Sequence, residues 1–170
     1  MLTDRQNLLL QPGESRTVSF RYCVDSPALW SPEDPNLYTS IMQVLEGEEE
    51  LDREETRFGI RTLSIDAAHG VRINGQTVKL RGACIHHDNG ILGAATLPDA
   101  EERRIRQLKE AGFNAIRSSH HPAGRALLDA CDRYGVLVMD ELSDVWNLRR
   151  ILTTMPCTLS RTGSLPFKRW

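Results

Sequence analysis

Hydrophobic and polar residues alternate along the first part of the chain, and this pattern predicts short strands. The clearest runs are 7–10 and 17–24, joined by a Pro-Gly turn, and 37–45 and 51–58, joined by the acidic stretch EGEE. Short strands at this spacing are typical of a β-sandwich. Residues 1 to about 65 are therefore interpreted as β-structure.

After residue 69 the pattern changes to apolar runs separated by segments with helical periodicity. Asn74-Gly75 predicts the turn of a hairpin, and a strand is predicted at 78–85. Asp99 is the predicted N-cap of a helix that begins with a capping box. A strand at 113–117, a helix at 124–134 and a strand at 136–140 follow. This alternation predicts parallel strands with right-handed crossovers.

Polar side chains follow each of the three predicted parallel strands. In β/α folds the carboxyl ends of the strands are the edge where active sites form. His86 follows the first strand, Arg117 and His120 lie at the end of the second, and Asp140 and Glu141 end the third. We expect these five side chains to converge at one edge of the sheet.

The stretch NAIRSSHHPAGRALLDACDRYGVLVMDE, residues 114–141, resembles the signature of glycoside hydrolase family 2, the group of β-galactosidases and β-glucuronidases. The resemblance rests on Asn114, Arg117, His120, Pro122, Asp132, Gly135 and Asp140. One departure is His121, where the family usually has a tyrosine. The runs RGACIHHDNGILGAA and SSHHP make the chain most similar to a β-galactosidase. β-Glucuronidase and β-mannosidase remain open.

The resemblance implies a two-part fold. The run WSPEDPNLY, followed by RFGIRTLSI, is similar to the end of the immunoglobulin-like domain that precedes the barrel in this family. A complete sandwich of this kind needs about seven strands, so we expect residues 1–68 to be its C-terminal part. Residues 69–148 would then be the first three β/α units of a (β/α)8 TIM barrel. The expected fold is a partial sandwich followed by a partial barrel.

The resemblance also implies which residues bind substrate. His86 and His120 would line the glycone subsite, because each imidazole nitrogen can donate or accept a hydrogen bond. Arg117 lies beside them and can hold a carboxylate by a bidentate contact. The side chains of Asp140 and Glu141 would point towards the same end of the strands. Both could instead accept hydrogen bonds from backbone groups or from the Arg117 guanidinium. For His87 and His121 a structural role is favoured, because neighbouring side chains on a strand face opposite ways.

The catalytic pair cannot be assigned in this chain. Retaining glycoside hydrolysis needs two carboxyl groups roughly 5 to 5.5 Å apart, and in the resembling family both belong to glutamates on later barrel strands. No glutamate follows Glu141 in the sequence. We therefore assign no catalytic residue and expect the 170-residue chain to be inactive by itself.

No metal or cofactor is predicted. His86, His87, Asp88, His120 and Asp140 contain suitable zinc ligands, but they come from three separate strand ends and lack an HExxH-type spacing. The magnesium site of some β-galactosidases uses a glutamate shortly after the Asp-Glu pair. Val145 stands in that position here, so this ion is not expected either.

Composition narrows the partners. The net charge of -2 gives no reason to expect nucleic acid or an anionic membrane as partner. Four scattered cysteines favour reduced thiols, and no signal peptide is recognised, so we expect a cytoplasmic protein. The leading hypothesis is a fragment of a retaining glycosidase that cleaves terminal β-linked sugars, with a carbohydrate as its partner and a homo-oligomeric parent left open. The alternative is a non-catalytic carbohydrate-binding or interaction module.

The last segment does not continue the β/α pattern. Residues 149–170 are assigned to an aberrant tail, and 151–170 have neither helical nor strand periodicity. We hypothesise a reading-frame slip near Arg150. With one permitted choice of codons, a single A placed before Ile151 re-reads the segment as NPYDYALYFEQDW, a sequence that would suit the family. The alternative is a genuine divergent tail, and sequencing the parent nucleic acid distinguishes the two.

Overall fold

The computed structural model of the protein describes residues 2–143. Within this part the chain forms one two-stranded sheet and two three-stranded sheets. The elements in chain order are β1 Tyr38–Glu46, β2 Glu49–Phe58, β3 Leu63–Asp66, β4 Gly70–Ile73, β5 Gln76–Thr77, β6 Gly82–Ile85, a 3-10 turn Gly90–Leu92, α1 Pro98–Glu110, β7 Ala115–Ser118, α2 Arg125–Tyr134 and β8 Leu137–Asp140.

The strands before residue 78 are antiparallel. β1 and β2 pair from Tyr38↔Phe58 to Glu46↔Glu49, which confirms the predicted pair around the acidic turn. β3, β4 and β5 form a second small sheet. Its β4–β5 turn is Asn74-Gly75, and both residues have positive φ, 52° and 79°, as a type I′ hairpin requires. The hairpin prediction is therefore confirmed.

The predicted strand pair at 7–10 and 17–24 is wrong, because the first strand that the structure contains is β1. The Pro-Gly turn between the two runs does form, and the Glu14 N–H donates to the Gln11 carbonyl at 2.9 Å. Nearly all side chains of residues 2–29 are exposed. A hairpin without a covered apolar face is only marginally stable in water, so the alternating pattern alone does not produce a strand ladder here.

The second part of the chain contains the predicted parallel sheet. β6, β7 and β8 lie side by side in that order, and both neighbouring pairs are parallel. α1 and α2 are the two crossovers. Their apolar faces and the central strand form the core, which contains Ile105, Ile116, Leu127, Ala130, Cys131 and Val136. The three strands predicted at 78–85, 113–117 and 136–140 are thus confirmed as β6, β7 and β8.

The start of α1 differs from the prediction. The helix begins at Pro98 with Leu97 at the cap, and no side chain caps it, so Asp99 lies inside the first turn. Proline is common at this first position, because the N–H that it lacks would have no hydrogen-bond partner within the helix there. Asp99 and Glu101 still stabilise this end, because negative charge interacts favourably with the helix dipole. The capping-box prediction is therefore wrong.

Trp30 anchors the segment before β1 to the parallel sheet and its helices. Its side chain is 2% exposed, and its indole N–H donates to the Asp132 carbonyl at 2.8 Å. Two residues further on, the Pro32 carbonyl accepts a hydrogen bond from the Lys109 ammonium group. Gly135, which ends α2 with φ 69°, lies against the same Pro32 backbone. The two hydrogen bonds join residues that are 102 and 77 positions apart in the chain.

Some expectations fall outside the described part of the chain. The aberrant tail at 149–170 is one of them, and so is any helix that would follow β8. Among residues 2–143, neither helix has the length and apolar character needed to cross a bilayer.

Gly135→Ala should destabilise the fold more than the same change at Gly112. Both glycines end a helix with positive φ, 69° and 89°, so alanine costs about 1–2 kcal/mol of backbone strain at either position. A Cβ on Gly135 would also lie 2.3 Å from the Pro32 carbonyl oxygen, whereas one on Gly112 meets nothing within 4 Å. We expect a total loss of about 2–5 kcal/mol at Gly135, measured by urea unfolding. Equal losses would mean that Pro32 does not pack against Gly135.

Candidate functional site

Two histidines meet at the carboxyl ends of the parallel strands. His86 directly follows β6, and His120 lies two residues beyond the end of β7. Their ring centroids are 5.6 Å apart with the rings edge to face. The in-register pairing of β6 with β7 brings the two loops together. His86 and His120 therefore converge as the sequence predicted.

Arg117 and Glu141 extend this pair into a charged cluster. The Arg117 Nε donates to Glu141 Oε1 at 2.5 Å, and His120 Nδ1 lies 3.3 Å from Glu141 Oε2. The Glu141 side chain is 21% exposed, and that of Arg117 is 44% exposed. One carboxylate thus holds both a guanidinium and an imidazole at the mouth of the strands. Three of the predicted side chains, together with His86, form one continuous set.

The charges of this cluster set the protonation states of Glu141 and Arg117. The hydrogen bond from Arg117 lowers the pKa of the Glu141 carboxyl, and the charge of Arg117 and the contact with His120 act in the same direction. The same hydrogen bond raises the pKa of Arg117. Both groups are therefore ionised at neutral pH. A fixed carboxylate beside two imidazoles presents several donors and acceptors to a polyhydroxylated ligand.

Asp140 makes a different contact from the other predicted residues. Its Oδ1 accepts a hydrogen bond from the Ala123 backbone N–H at 2.8 Å. Ser118, the last residue of β7, donates its hydroxyl to the His121 carbonyl at 2.9 Å. These two bonds shape the loop that carries His120. The sequence analysis had left such a structural role open for Asp140, and substrate contact by this residue stays a prediction.

His87 and His121 form a second pair, separate from the first. Their ring centroids are 4.4 Å apart, and His87 Nε2 and His121 Nδ1 are buried without a hydrogen-bond partner among the described residues. Burial lowers the pKa of His87, and repulsion from His121 lowers it further. The pairing follows the alternation of side chains that the sequence analysis used for these two positions. The structure places them together as packing residues.

Sequence reasoning missed the residues that hold the loop after β6. Arg104 on α1 donates to the carbonyls of His86 and Asp88, and Glu101 lies beside it. The spacing of Glu101 and Arg104 indicates an ordinary helical ion pair. The contact of Arg104 with the loop after β6, and the burial of Glu101, become visible only in the tertiary structure.

The remaining candidates for chemistry are few. Within residues 2–143, no group of three or more His, Cys, Asp or Glu side chains is arranged to hold a metal ion. Cys23, Cys84 and Cys131 are free thiols. Burial raises the pKa of Cys131, which fits a core position and an unreactive thiol. Within the described residues, the groups available for chemistry are therefore the hydrogen-bonding side chains around the ionised Glu141 carboxylate.

Two family models match the chain. The family model described as "Glycosyl hydrolases family 2, TIM barrel domain" matches residues 67–151, and that described as "Glycosyl hydrolases family 2" matches residues 3–61. The chain is 44% identical over 140 residues to the β-galactosidase BoGH2A of Bacteroides ovatus, a match that covers 82% of this chain and 16% of that protein.

Solved structures give a similar result. A family 2 glycosyl hydrolase from Bacteroides cellulosilyticus superposes with a TM-score of 0.66 at 50% identity, covering 69% of this chain and 16% of that one. The β-glucuronidase of Parabacteroides merdae superposes with a TM-score of 0.67 at 31% identity, covering 73% and 15%. The chain thus spans about a sixth of the length of such relatives.

A parallel sheet with crossover helices and polar groups at the carboxyl ends of its strands defines a β/α protein, and the matched family domain is a TIM barrel. The chain belongs to glycoside hydrolase family 2. It joins a family 2 N-terminal region to the start of the TIM-barrel domain.

Arg117→Met should raise the pKa of Glu141 towards its ordinary value, because Arg117 is the main cause of the lowered pKa. A carboxyl group whose pKa is lower in the folded than in the unfolded chain stabilises the fold at pH values above its unfolded-state pKa. This stabilisation is lost as the pH falls through the folded-state pKa. The titration of the Glu141 carboxyl carbon by NMR measures the change.

Arg106→Met is the matched control, because Arg106 pairs with Glu110 on an exposed face of α1. It should leave the pKa of Glu141 unchanged. A Glu141 titration that is the same with and without Arg117 would contradict this account of the cluster.

Proposed function

We propose that this chain is part of a retaining glycoside hydrolase that cleaves terminal β-linked sugars, and that it supplies part of the substrate-binding floor. The observation that carries the proposal is the set of His86, His120, Arg117 and Glu141 at the carboxyl ends of three parallel strands. Sugar hydroxyls need closely spaced donors and acceptors, and this set provides them. Asp140 is proposed as a further contact at its edge.

The domain assignment belongs to the same proposal. We infer that residues 1–68 are the C-terminal part of an immunoglobulin-like sandwich, and that 69–148 are the first β/α units of a (β/α)8 barrel. The two family matches, at 3–61 and 67–151, support a boundary close to residue 68. The antiparallel pairing of β1 with β2 and the parallel order β6-β7-β8 are compatible with these two parts.

A neutral sugar such as a β-galactoside is the favoured substrate. β-Glucuronides carry a carboxylate, which would need a cation that is free to bind it. Arg117 already pairs with Glu141 at 2.5 Å, so this guanidinium is engaged within the protein. The 44% identity to a β-galactosidase supports the same choice.

The 170-residue chain should bind sugar without hydrolysing it. Retaining hydrolysis needs an acid/base carboxyl group and a nucleophilic one roughly 5 to 5.5 Å apart across the scissile bond. The two carboxylates at the strand ends have other partners, since Asp140 binds the Ala123 N–H and Glu141 pairs with Arg117 and His120. This agrees with assigning no catalytic residue to the chain. We also propose a cytoplasmic location and a carbohydrate substrate, with no nucleic-acid or membrane partner and a homo-oligomeric parent left open.

His86→Ala and His120→Ala should each weaken binding of methyl β-galactoside by about two- to twelvefold. Each removes a side chain able to make one net hydrogen bond, which contributes roughly 0.5–1.5 kcal/mol. An NMR titration of the 170-residue chain measures the dissociation constants. His69→Ala is the matched control, because His69 lies on the β3–β4 turn and its imidazole pairs with Asp66.

Hydrolysis is tested separately with nitrophenyl β-galactoside and nitrophenyl β-glucuronide. The 170-residue chain should give no turnover above background. A polypeptide extended to the length of the relatives should prefer the galactoside. Sugar binding that is insensitive to His86 and His120, or turnover by the chain alone, would overturn the proposed role of this floor.

A further inference from the structure

The loop after β6 is held by a single arginine on the neighbouring helix. Arg104 Nη1 donates to the His86 carbonyl at 2.8 Å. Arg104 Nη2 donates to the Asp88 carbonyl and to Asn89 Oδ1, both at 2.5 Å. One guanidinium therefore binds three acceptors over four consecutive residues of the loop. The planar guanidinium reaches this set with two separate nitrogens, whereas the three N–H donors of a lysine share one atom.

A buried carboxylate completes this arrangement. The Glu101 side chain is 0% exposed, and that of Arg104 is 16% exposed. Glu101 Oε2 lies 3.6 Å from Arg104 Nη1, and Glu101 Oε1 accepts a hydrogen bond from Asn89 Nδ2 at 3.0 Å. Buried charges are costly unless they are paired and hydrogen-bonded. Here both residues of the buried pair hold the loop, because Asn89 forms one hydrogen bond with Arg104 and another with Glu101.

The fixed part of the loop is the part that bears His86. The Arg104 contacts lie at His86 itself and at the two positions that follow His87. Rotation of the His86 backbone would break at least the first of them. The His86 ring is in turn held 5.6 Å from that of His120. No other helix residue in the described part of the chain donates a side-chain hydrogen bond to the carbonyl of His86.

We propose that Arg104 and Glu101, with Asn89, are positioning residues that hold His86 in the geometry needed to bind a sugar hydroxyl. The inference rests on the proposed function, because it concerns the same binding floor. Neither Arg104 nor Glu101 contacts the sugar. They act by keeping the loop in the one arrangement in which His86 faces His120, so their loss lowers the population of the binding-competent loop.

Two variants separate positioning from folding. Glu101→Met/Arg104→Met removes both charges and keeps similar side-chain volume, which avoids an unpaired buried charge. Arg104→Lys keeps a cation beside Glu101 but loses the fork. Arg103→Met is the matched control, because Arg103 is an exposed arginine at the adjacent position of the same helix.

The experiment uses NMR on the full 170-residue chain. The wild type should give a nuclear Overhauser contact between the His86 and His120 rings, as their 5.6 Å centroid separation requires. We expect both variants to lose or strongly weaken it while the core signals of Ile105 and Leu127 persist. The dissociation constant for methyl β-galactoside should rise about tenfold if the competent loop falls to about one-tenth of the population. Arg103→Met should change neither reading.

The outcomes separate this inference from the proposed function. A His86–His120 ring contact that persists in both variants would overturn the positioning role, whatever the sugar affinity. Loss of the folded core in both variants would also overturn it, because the pair would then serve the fold in general. If the wild type binds no sugar, the proposed function fails, and loss of the ring contact in the variants would still support the role of the pair in fixing the loop.

Discussion

Asn114 lies buried just before β7 and makes hydrogen bonds to both neighbouring strands or their approaches. Its side-chain oxygen accepts from the Arg81 N–H at 2.8 Å, and its amide nitrogen donates to the Lys79 carbonyl at 3.0 Å. On the other side, its carbonyl accepts from the Leu137 N–H at 2.9 Å. These bonds fix the register of β6 and β8 against β7. A shift of one residue would turn every side chain of a strand to the opposite face, so the candidate site depends on this register.

The loops after β6 and β7 contain four neighbouring histidines that form two unlike pairs. His86 and His120 meet in the charged cluster with Glu141, whereas His87 and His121 pack together with buried ring nitrogens. Side chains at adjacent positions of an extended chain face opposite ways. The parallel pairing of β6 with β7 ends at Ile85↔Ser118, so the loops that carry the four histidines begin side by side and their side chains divide into two groups. The polar pair remains available for hydrogen bonding, and the other contributes to packing behind it.

The errors of the sequence-based analysis have a common physical cause. The alternation at 7–10 and 17–24 predicts strands, but nothing in a sequence tells whether a neighbouring sheet will cover them. Asp99 has the residue type of a cap, yet the helix begins at Pro98 with Leu97 at the cap, two residues earlier than predicted. Glu101 and Arg104 have the spacing of a surface ion pair, yet Glu101 is fully buried. In each case the local pattern is present in the sequence, but the surroundings of the residues decide which structure forms.

The sequence by itself determined the order of the parallel strands and crossover helices, the hairpin at Asn74-Gly75, and the convergence of His86, Arg117 and His120 at one edge. These features follow from periodicity and turn chemistry, which act over a few residues. Only the tertiary structure decided that Glu141 pairs with Arg117 and His120, that Asp140 binds the Ala123 N–H, and that Arg104 holds the loop after β6. Those outcomes depend on distances between residues far apart in the chain, and such distances are set by packing and strand register.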